Sequence, residues 1–129
     1  MTDVLIVDDH HSFGEALELV LGSALAGSPK FARASSVAEG LQCISEDGPF
    51  DLVVVDLMLP DGNGTEVVRE VKAQSPDTPV AVLSASEDLC GALAAGADEA
   101  IPKDTSLAEI VASLVRLAGV RDRAGYQDL

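Results

Sequence analysis

The residues best able to do chemistry stand just past the ends of short apolar runs. Val4 to Val7 leads to the adjacent carboxylates Asp8 and Asp9, Leu52 to Val55 to the carboxylate Asp56, and Val80 to Leu83 to the hydroxyl of Ser84. A weaker run, Ala100 to Ile101 with Pro102, leads to the ammonium of Lys103. Brought to one mouth, three carboxylates repel each other and destabilise a fold unless a cation joins them. Mg²⁺ fits, because a hard ion with oxygen ligands and retained waters takes such a cluster, and no His or thiolate set has zinc spacing. With Lys103 beside it, the ion would neutralise an anionic group delivered to Asp56. A phosphoryl group suits that role, since its transfer depends on positioning and on positive charge around the equatorial oxygens. Asp56 would then be the nucleophile, and Lys103 a compact charge able to follow the arriving group. Ser84 is small enough to move toward the new oxygens.

These residues need a scaffold that aligns strand ends. Continuous Val and Leu runs of this length suit strands buried on both faces, and Phe31 to Ala34 supplies a further weak run. Between the runs lie apolar residues at helical spacing: Phe13, Leu17, Val20 and Leu21; Val37, Leu41 and Ile44; Val67, Val68 and Val71; Leu107, Ile110, Val111 and Leu114. Ser36 with Glu39 and Ser106 with Glu109 each read as a capping box at a helix start, and Gly96 suits the stop of the fourth helix. Five βα units predict an α/β fold, a flavodoxin-like (βα)5 doubly wound parallel sheet of strand order 2-1-3-4-5. The fifth strand is then an edge, where Pro102 is tolerated. In such sheets ligands bind beyond the carboxyl ends of the strands, where all five candidate residues stand. Residues 1–118 form the domain, and 119–129, with Arg121 and Arg123, read as a frayed end or the stub of a linker.

Composition narrows the function. The 129 residues make one domain, and 47% hydrophobic with 23% charged residues exclude disorder. Eight basic against 22 acidic residues leave a net charge of −14, which repels phosphate backbones and anionic lipid, so neither nucleic acid nor membrane is an expected partner of this chain. No apolar run approaches a membrane span and the N-terminus lacks signal-peptide character, so a cytoplasmic location is expected. Cys43 and Cys90 fall in helical stretches and read as buried reduced thiols. His10 and His11 sit at the mouth but lack partners at ligand spacing, and read as surface histidines.

The segments "LIVDDHHSFGEAL", "DLVVVDLMLPDGNG", "VAVLSAS" and "GADEAIPKD" together resemble the receiver domain of bacterial two-component response regulators, over about Val4 to Leu117. The resemblance implies a phosphoacceptor switch rather than an enzyme. Asp56 takes a phosphoryl group from a phosphohistidine on a sensor histidine kinase. Asp9 and Asp56 bind Mg²⁺ directly, Asp8 binds it through water, and the backbone carbonyl of Met58 completes the protein ligands. Ser84 and Lys103 each hold a phosphoryl oxygen. A homodimer on phosphorylation is a further implied partner, with conformational change on the face of the fourth helix, fifth strand and fifth helix. Met58 and Ser86 flank the site and would control water access to the acyl phosphate.

Departures from the family pattern matter. Ala100 stands where many receivers carry an inward-turning Tyr or Phe, and Asp104 stands where many have a Pro after the Lys, joined by a cis bond. The "DDH" opening and "KD" pair resemble the subgroup often followed by a LuxR-type helix-turn-helix, which would make the output transcription regulation. Two other readings stay open: a pseudo-receiver acting by interaction alone, which Ala100 motivates, and a phosphatase of the haloacid dehalogenase type. The phosphatase would want a second Asp where Met58 stands.

Overall fold

Leu52, Val53, Val54 and Val55 carry nothing that needs water, and in the computed structural model of the chain they are buried in the middle strand of a five-stranded sheet. The structure describes residues 3–25, 27, 29–84 and 89–127, with only the backbone of 89, 90 and 120–127. The strands are β1 (Asp3–Val7), β2 (Lys30–Ala34), β3 (Leu52–Asp56), the two-residue pair β4 (Met58–Leu59) and β5 (Gly62–Asn63), β6 (Val80–Ser84) and β7 (Glu99–Pro102). The main sheet is parallel in the order β2-β1-β3-β6-β7. This is the expected 2-1-3-4-5 once the small β4–β5 hairpin is set aside. Pro102 ends the edge strand β7, where its missing N–H costs no ladder bond.

The helices are α1 (His11–Ala24), α2 (Val37–Asp47), α3 (Thr65–Gln74), α4 (Leu89–Ala94) and α5 (Leu107–Gln127). Successive strand residues face opposite ways, which divides the core in two. Leu5, Val7, Val53, Val55, Val80 and Val82 pack with Ile44 of α2, Val67, Val68 and Val71 of α3, and Ala92 of α4. Val4, Ile6, Leu52, Val54, Ala81 and Leu83 pack with Leu17 and Leu21 of α1 and Ile110, Val111 and Leu114 of α5. Full burial of Leu17 and Leu21 contributes about 1.5–3 kcal/mol each as an upper estimate. Val20, expected on that same stripe, is 37% exposed at its margin.

Local signals act largely as read. Ser36 Oγ accepts from Glu39 N–H at 3.1 Å and Ser106 Oγ from Glu109 N–H at 3.3 Å. The Glu39 carboxylate, however, turns back to Ser35, whose N–H and hydroxyl both reach it. Those bonds hold Glu39 below the usual carboxylate range. Gly96, at φ +115, follows α4 in a conformation that L side chains rarely adopt. Helix α5 continues through 119–127, the segment expected as a tail. Cys43 is only half-buried rather than buried, because it lies at the rim of the α2 contact; desolvation, then nearby acidic residues, push its thiol up. The expectations for the Cys90 thiol and for Ser86 lie outside the described residues. The bond between Lys103 and Asp104 is trans; among the described residues Gly48–Pro49 is cis. No helix among the described residues is long and apolar enough to cross a membrane.

Candidate functional site

Register brings the strand-end residues together. Val7 pairs with Val55, Asp56 with Leu83 and Ser84 with Pro102, so Asp8, Asp56, Ser84 and Lys103 leave the sheet at one level. Asp8, Asp56 and Ser84 are buried, with 6%, 3% and 1% exposure. Lys103 arrives from the edge and bonds back into the sheet, its N–H donating to the Ser84 carbonyl at 2.8 Å.

The Lys103 ammonium is the hub. Its Nζ donates to Asp56 Oδ2 at 2.8 Å and lies 3.1 Å from Asp8 Oδ2. Burial draws the Lys103 pKa down, and the hydrogen bonds and charges of Asp56 and Asp8 outweigh it, leaving a net rise. The Phe13 ring of α1 lies beneath the same ammonium, 4.9 Å from centroid to Nζ, a cation–π distance. Met58 N–H donates to Asp56 Oδ1 at 3.0 Å, so the carboxylate is held from both sides. Met58 itself is 61% exposed and its side chain forms part of the rim.

One ammonium against three carboxylates leaves the cluster short of positive charge. Asp8 Oδ2 and Asp9 Oδ1 are buried atoms that accept no hydrogen bond; the Lys103 approach to Asp8 Oδ2 is a charge contact only. Such orphaned anionic oxygens suit an oxygen-liganded divalent cation. Oxygens of Asp8, Asp9 and Asp56 and a ring nitrogen of His10 all lie within 4.8 Å of one another. A cavity of about 290 Å³, lined by Asp9, His10, Asp56, Met58, Leu59 and Lys103, opens from this cluster to solvent.

His10 lies at the surface as read, but it is not without partners. Its ring is 64% exposed, but Nδ1 stands 2.9 Å from Lys103 Nζ, 3.2 Å from Asp8 Oδ1 and 3.3 Å from Asp9 Oδ1. Sequence spacing is no guide here, because His10 precedes α1 in an extended cap conformation and its N–H bonds Asp8 Oδ1 at 2.8 Å. That turn folds the imidazole back over the strand ends. His11 starts α1, and its carbonyl accepts from Arg33.

The loop after Asp56 is also more ordered than turn residues alone suggest. Leu59-Pro60-Asp61-Gly62 turns between β4 and β5, and the Asp61 carboxylate accepts from Val37 N–H at 2.7 Å and Ala38 N–H at 3.0 Å. Two orphan donors at the start of α2 are thereby satisfied, and the bonds from Ala38 and Val37 hold Asp61 below the usual carboxylate range. Behind the site, Gly64 donates its N–H to the Leu57 carbonyl, and any Cβ on it would run into the Asp56 carbonyl oxygen. A second cavity, of about 200 Å³ between the ends of α2 and α3, is lined by Ile44, Phe50, Val71 and Thr78 among others, with no titratable group in its wall.

Comparison with known proteins follows the geometry. The model of the response regulator receiver domain matches residues 4–115. The chain is 36% identical over 119 residues to the response regulator protein PilR of Pseudomonas aeruginosa, covering 88% of this chain and 26% of that protein. It is 38% identical over 118 residues to the KDP operon transcriptional regulatory protein KdpE of Escherichia coli, covering 88% and 50%. The chain thus spans half or less of the length of these two relatives. Among solved structures, the response regulator TrrA of Thermotoga maritima, in complex with Mg²⁺-BeF, superposes with a TM-score of 0.77 at 26% identity, covering 91% of this chain and 99% of that one.

Proposed function

The chain belongs to the response regulator receiver domain family, and from that premise we propose that it is a phosphoacceptor switch, taking a phosphoryl group from a sensor histidine kinase onto Asp56. The observation that carries this reading is the buried Asp56 carboxylate, bonded to Lys103 at 2.8 Å beside Asp8 and Asp9 at the mouth of an open cavity. An Asp56 oxygen forms the new bond to phosphorus. The bond from phosphorus to the donor's histidine nitrogen breaks, and that nitrogen keeps the electron pair. Lys103, already in contact with Asp56, shifts its charge onto a phosphoryl oxygen as the carboxylate becomes an acyl phosphate. Ser84, buried at the end of the neighbouring strand, would meet another of those oxygens with its hydroxyl.

The orphaned oxygens of Asp8 and Asp9 fit a divalent cation. Asp9 and Asp56 would hold Mg²⁺ directly, Asp8 through a water, and Met58 by its backbone carbonyl. When bound, the ion supplies positive charge that screens Asp56 from the incoming group. The Mg²⁺-BeF complex of the similar chain TrrA supports the choice of ion. Residues 1–118 are taken as the receiver unit, with 119–129 leading out of it. A cytoplasmic location, a homodimer on phosphorylation and control of transcription through a DNA-binding segment of a longer protein belong to the same reading, the last supported by the name of KdpE.

Two measurements test it. After incubation with acetyl phosphate, the native chain should carry a label that hydroxylamine removes, as it removes acyl phosphates, and Asp56→Asn should carry none. Equal labelling of both chains would overturn the assignment. Release of many phosphates per chain from a phosphate ester would instead establish the phosphatase, whose second Asp is replaced here by Met58.

A further inference from the structure

We propose that His10 supplies a nitrogen ligand to the divalent ion held by Asp9 and Asp56, so that the site favours late first-row ions such as Co²⁺, Ni²⁺ or Zn²⁺ beyond what its carboxylates alone would give. The inference rests on the metal-binding part of the proposed function and adds to it a residue and an ion class. Three observations support it. The first is spacing. At metal–ligand bonds of about 2.1 Å, neighbouring ligand atoms of an octahedral ion lie about 3.0 Å apart and opposite ones about 4.2 Å. His10 Nδ1 is 3.3 Å from Asp9 Oδ1 and 3.9 Å from Asp56 Oδ2, inside that window.

The second is the direction of the lone pair. An ammonium has only donors, so the 2.9 Å contact from Lys103 Nζ is a hydrogen bond when His10 Nδ1 is the acceptor and the ring proton sits on Nε2, whereas the longer 3.2 Å approach of Asp8 Oδ1 would need the proton on Nδ1. In the Nε2–H form the Nδ1 lone pair is directed at Lys103 Nζ, itself 2.8 Å from Asp56 Oδ2, and so is open to a cation that takes the place of that ammonium contact. Lys103 can give up this bond at little cost, because it keeps Asp56 Oδ2 at 2.8 Å and Asp8 Oδ2 at 3.1 Å. The third is the unmet demand for charge: Asp8 Oδ2 and Asp9 Oδ1 are buried without a hydrogen bond, and Asp8 as a whole is 6% exposed. Carboxylates suit Mg²⁺, whereas imidazole raises affinity for Co²⁺, Ni²⁺ and Zn²⁺ and does little for Mg²⁺. A single nitrogen among oxygens thus changes the order of preference rather than only the strength of binding.

The test measures Ni²⁺ and Mg²⁺ binding to the 129-residue chain by titration calorimetry, with the visible spectrum of bound Co²⁺ as an independent reading of its ligands. His10→Ala should weaken Ni²⁺ by at least about tenfold and Mg²⁺ by no more than about twofold, and should shift the Co²⁺ bands toward those of an all-oxygen site. His11→Ala, one residue along on an exposed position, should change neither ion. The proposal is overturned if His10→Ala leaves Ni²⁺ binding and the Co²⁺ spectrum as they were, if Mg²⁺ falls in parallel with Ni²⁺, or if His11→Ala costs as much as His10→Ala. Native binding of Mg²⁺ with a silent His10→Ala removes His10 alone. Failure of the native chain to bind either ion removes the metal site itself.

Discussion

Replacing Lys103 with Met keeps most of the side chain's bulk and removes the one positive charge that the described residues bring into contact with both Asp8 and Asp56. Removing one partner of a fully buried ion pair costs about 3–5 kcal/mol, and an exposed pair is worth about 1 kcal/mol or less. Asp8 and Asp56 side chains are each 3% exposed, but Lys103 keeps 15% and borders an open cavity. Discounted for that solvent, the loss is about 2 kcal/mol, which for a chain of this size lowers the melting midpoint by about 7 °C. Melts in EDTA should show this gap between Lys103→Met and the native chain, and added Mg²⁺ should raise the variant more than the native chain, since the ion then supplies the missing charge. The pH dependence has a definite sign. Because the folded-state pKa of Lys103 is raised above 10.5, its contribution is fully present below that value. It is lost as pH rises through the folded-state value. The gap between native and variant should therefore hold through neutral pH and close only in strong alkali. A Lys103→Met chain that melts within about 2 °C of native in EDTA would make Lys103 a solvated edge lysine and refute the reasoning.

Asp9→Asn, relieving repulsion at a carboxylate without a Lys103 contact, should stabilise the metal-free chain by about 1 kcal/mol or less and abolish the rise in melting midpoint on adding Mg²⁺; thermal melts with and without the ion decide it. Asp61→Asn should speed hydrogen exchange at the Val37 and Ala38 amides. Since Asp61 is depressed below 3.8, that protection should be present in the native chain above this value and fade as pH falls through the lower folded-state one. Gly64→Ala, with no room beside the Asp56 carbonyl, should cost about 1–3 kcal/mol of overpacking and slow acetyl phosphate labelling of Asp56 relative to native, followed by urea melts and by mass.

The middle of the sheet was legible because its three strands are apolar runs that each stop at a polar residue, Val7 at Asp8, Val55 at Asp56 and Leu83 at Ser84, whereas the edge strands β2 and β7 carry Lys30, Arg33 and Glu99 and give a weaker signal. Parallel register then aligns those stops with no further information. What surrounds the stops was less legible. The contact between Asp61 and the start of α2 spans 24 residues in sequence, and turn composition gives no hint of its target. His10 has no partner at ligand spacing in the sequence, and spacing does not show that an extended cap residue brings its ring back over the strand it follows. Phe13 read as a core residue of α1, and it is half-buried there. Its second role beneath Lys103 depends on packing between α1 and the loop after β7. Val20 and Cys43 lie at stripe margins, where periodicity marks a face but does not set its width.

The most direct test of the account is the intact mass of the native chain and of Asp56→Asn after incubation with acetyl phosphate, with Mg²⁺ and with EDTA. A single phosphoryl adduct on the native chain, formed only with the ion and absent from Asp56→Asn, is the predicted result. An adduct that forms equally on Asp56→Asn, or no adduct on either chain, would contradict the claim that Asp56 is the acceptor of a metal-assisted phosphoryl transfer.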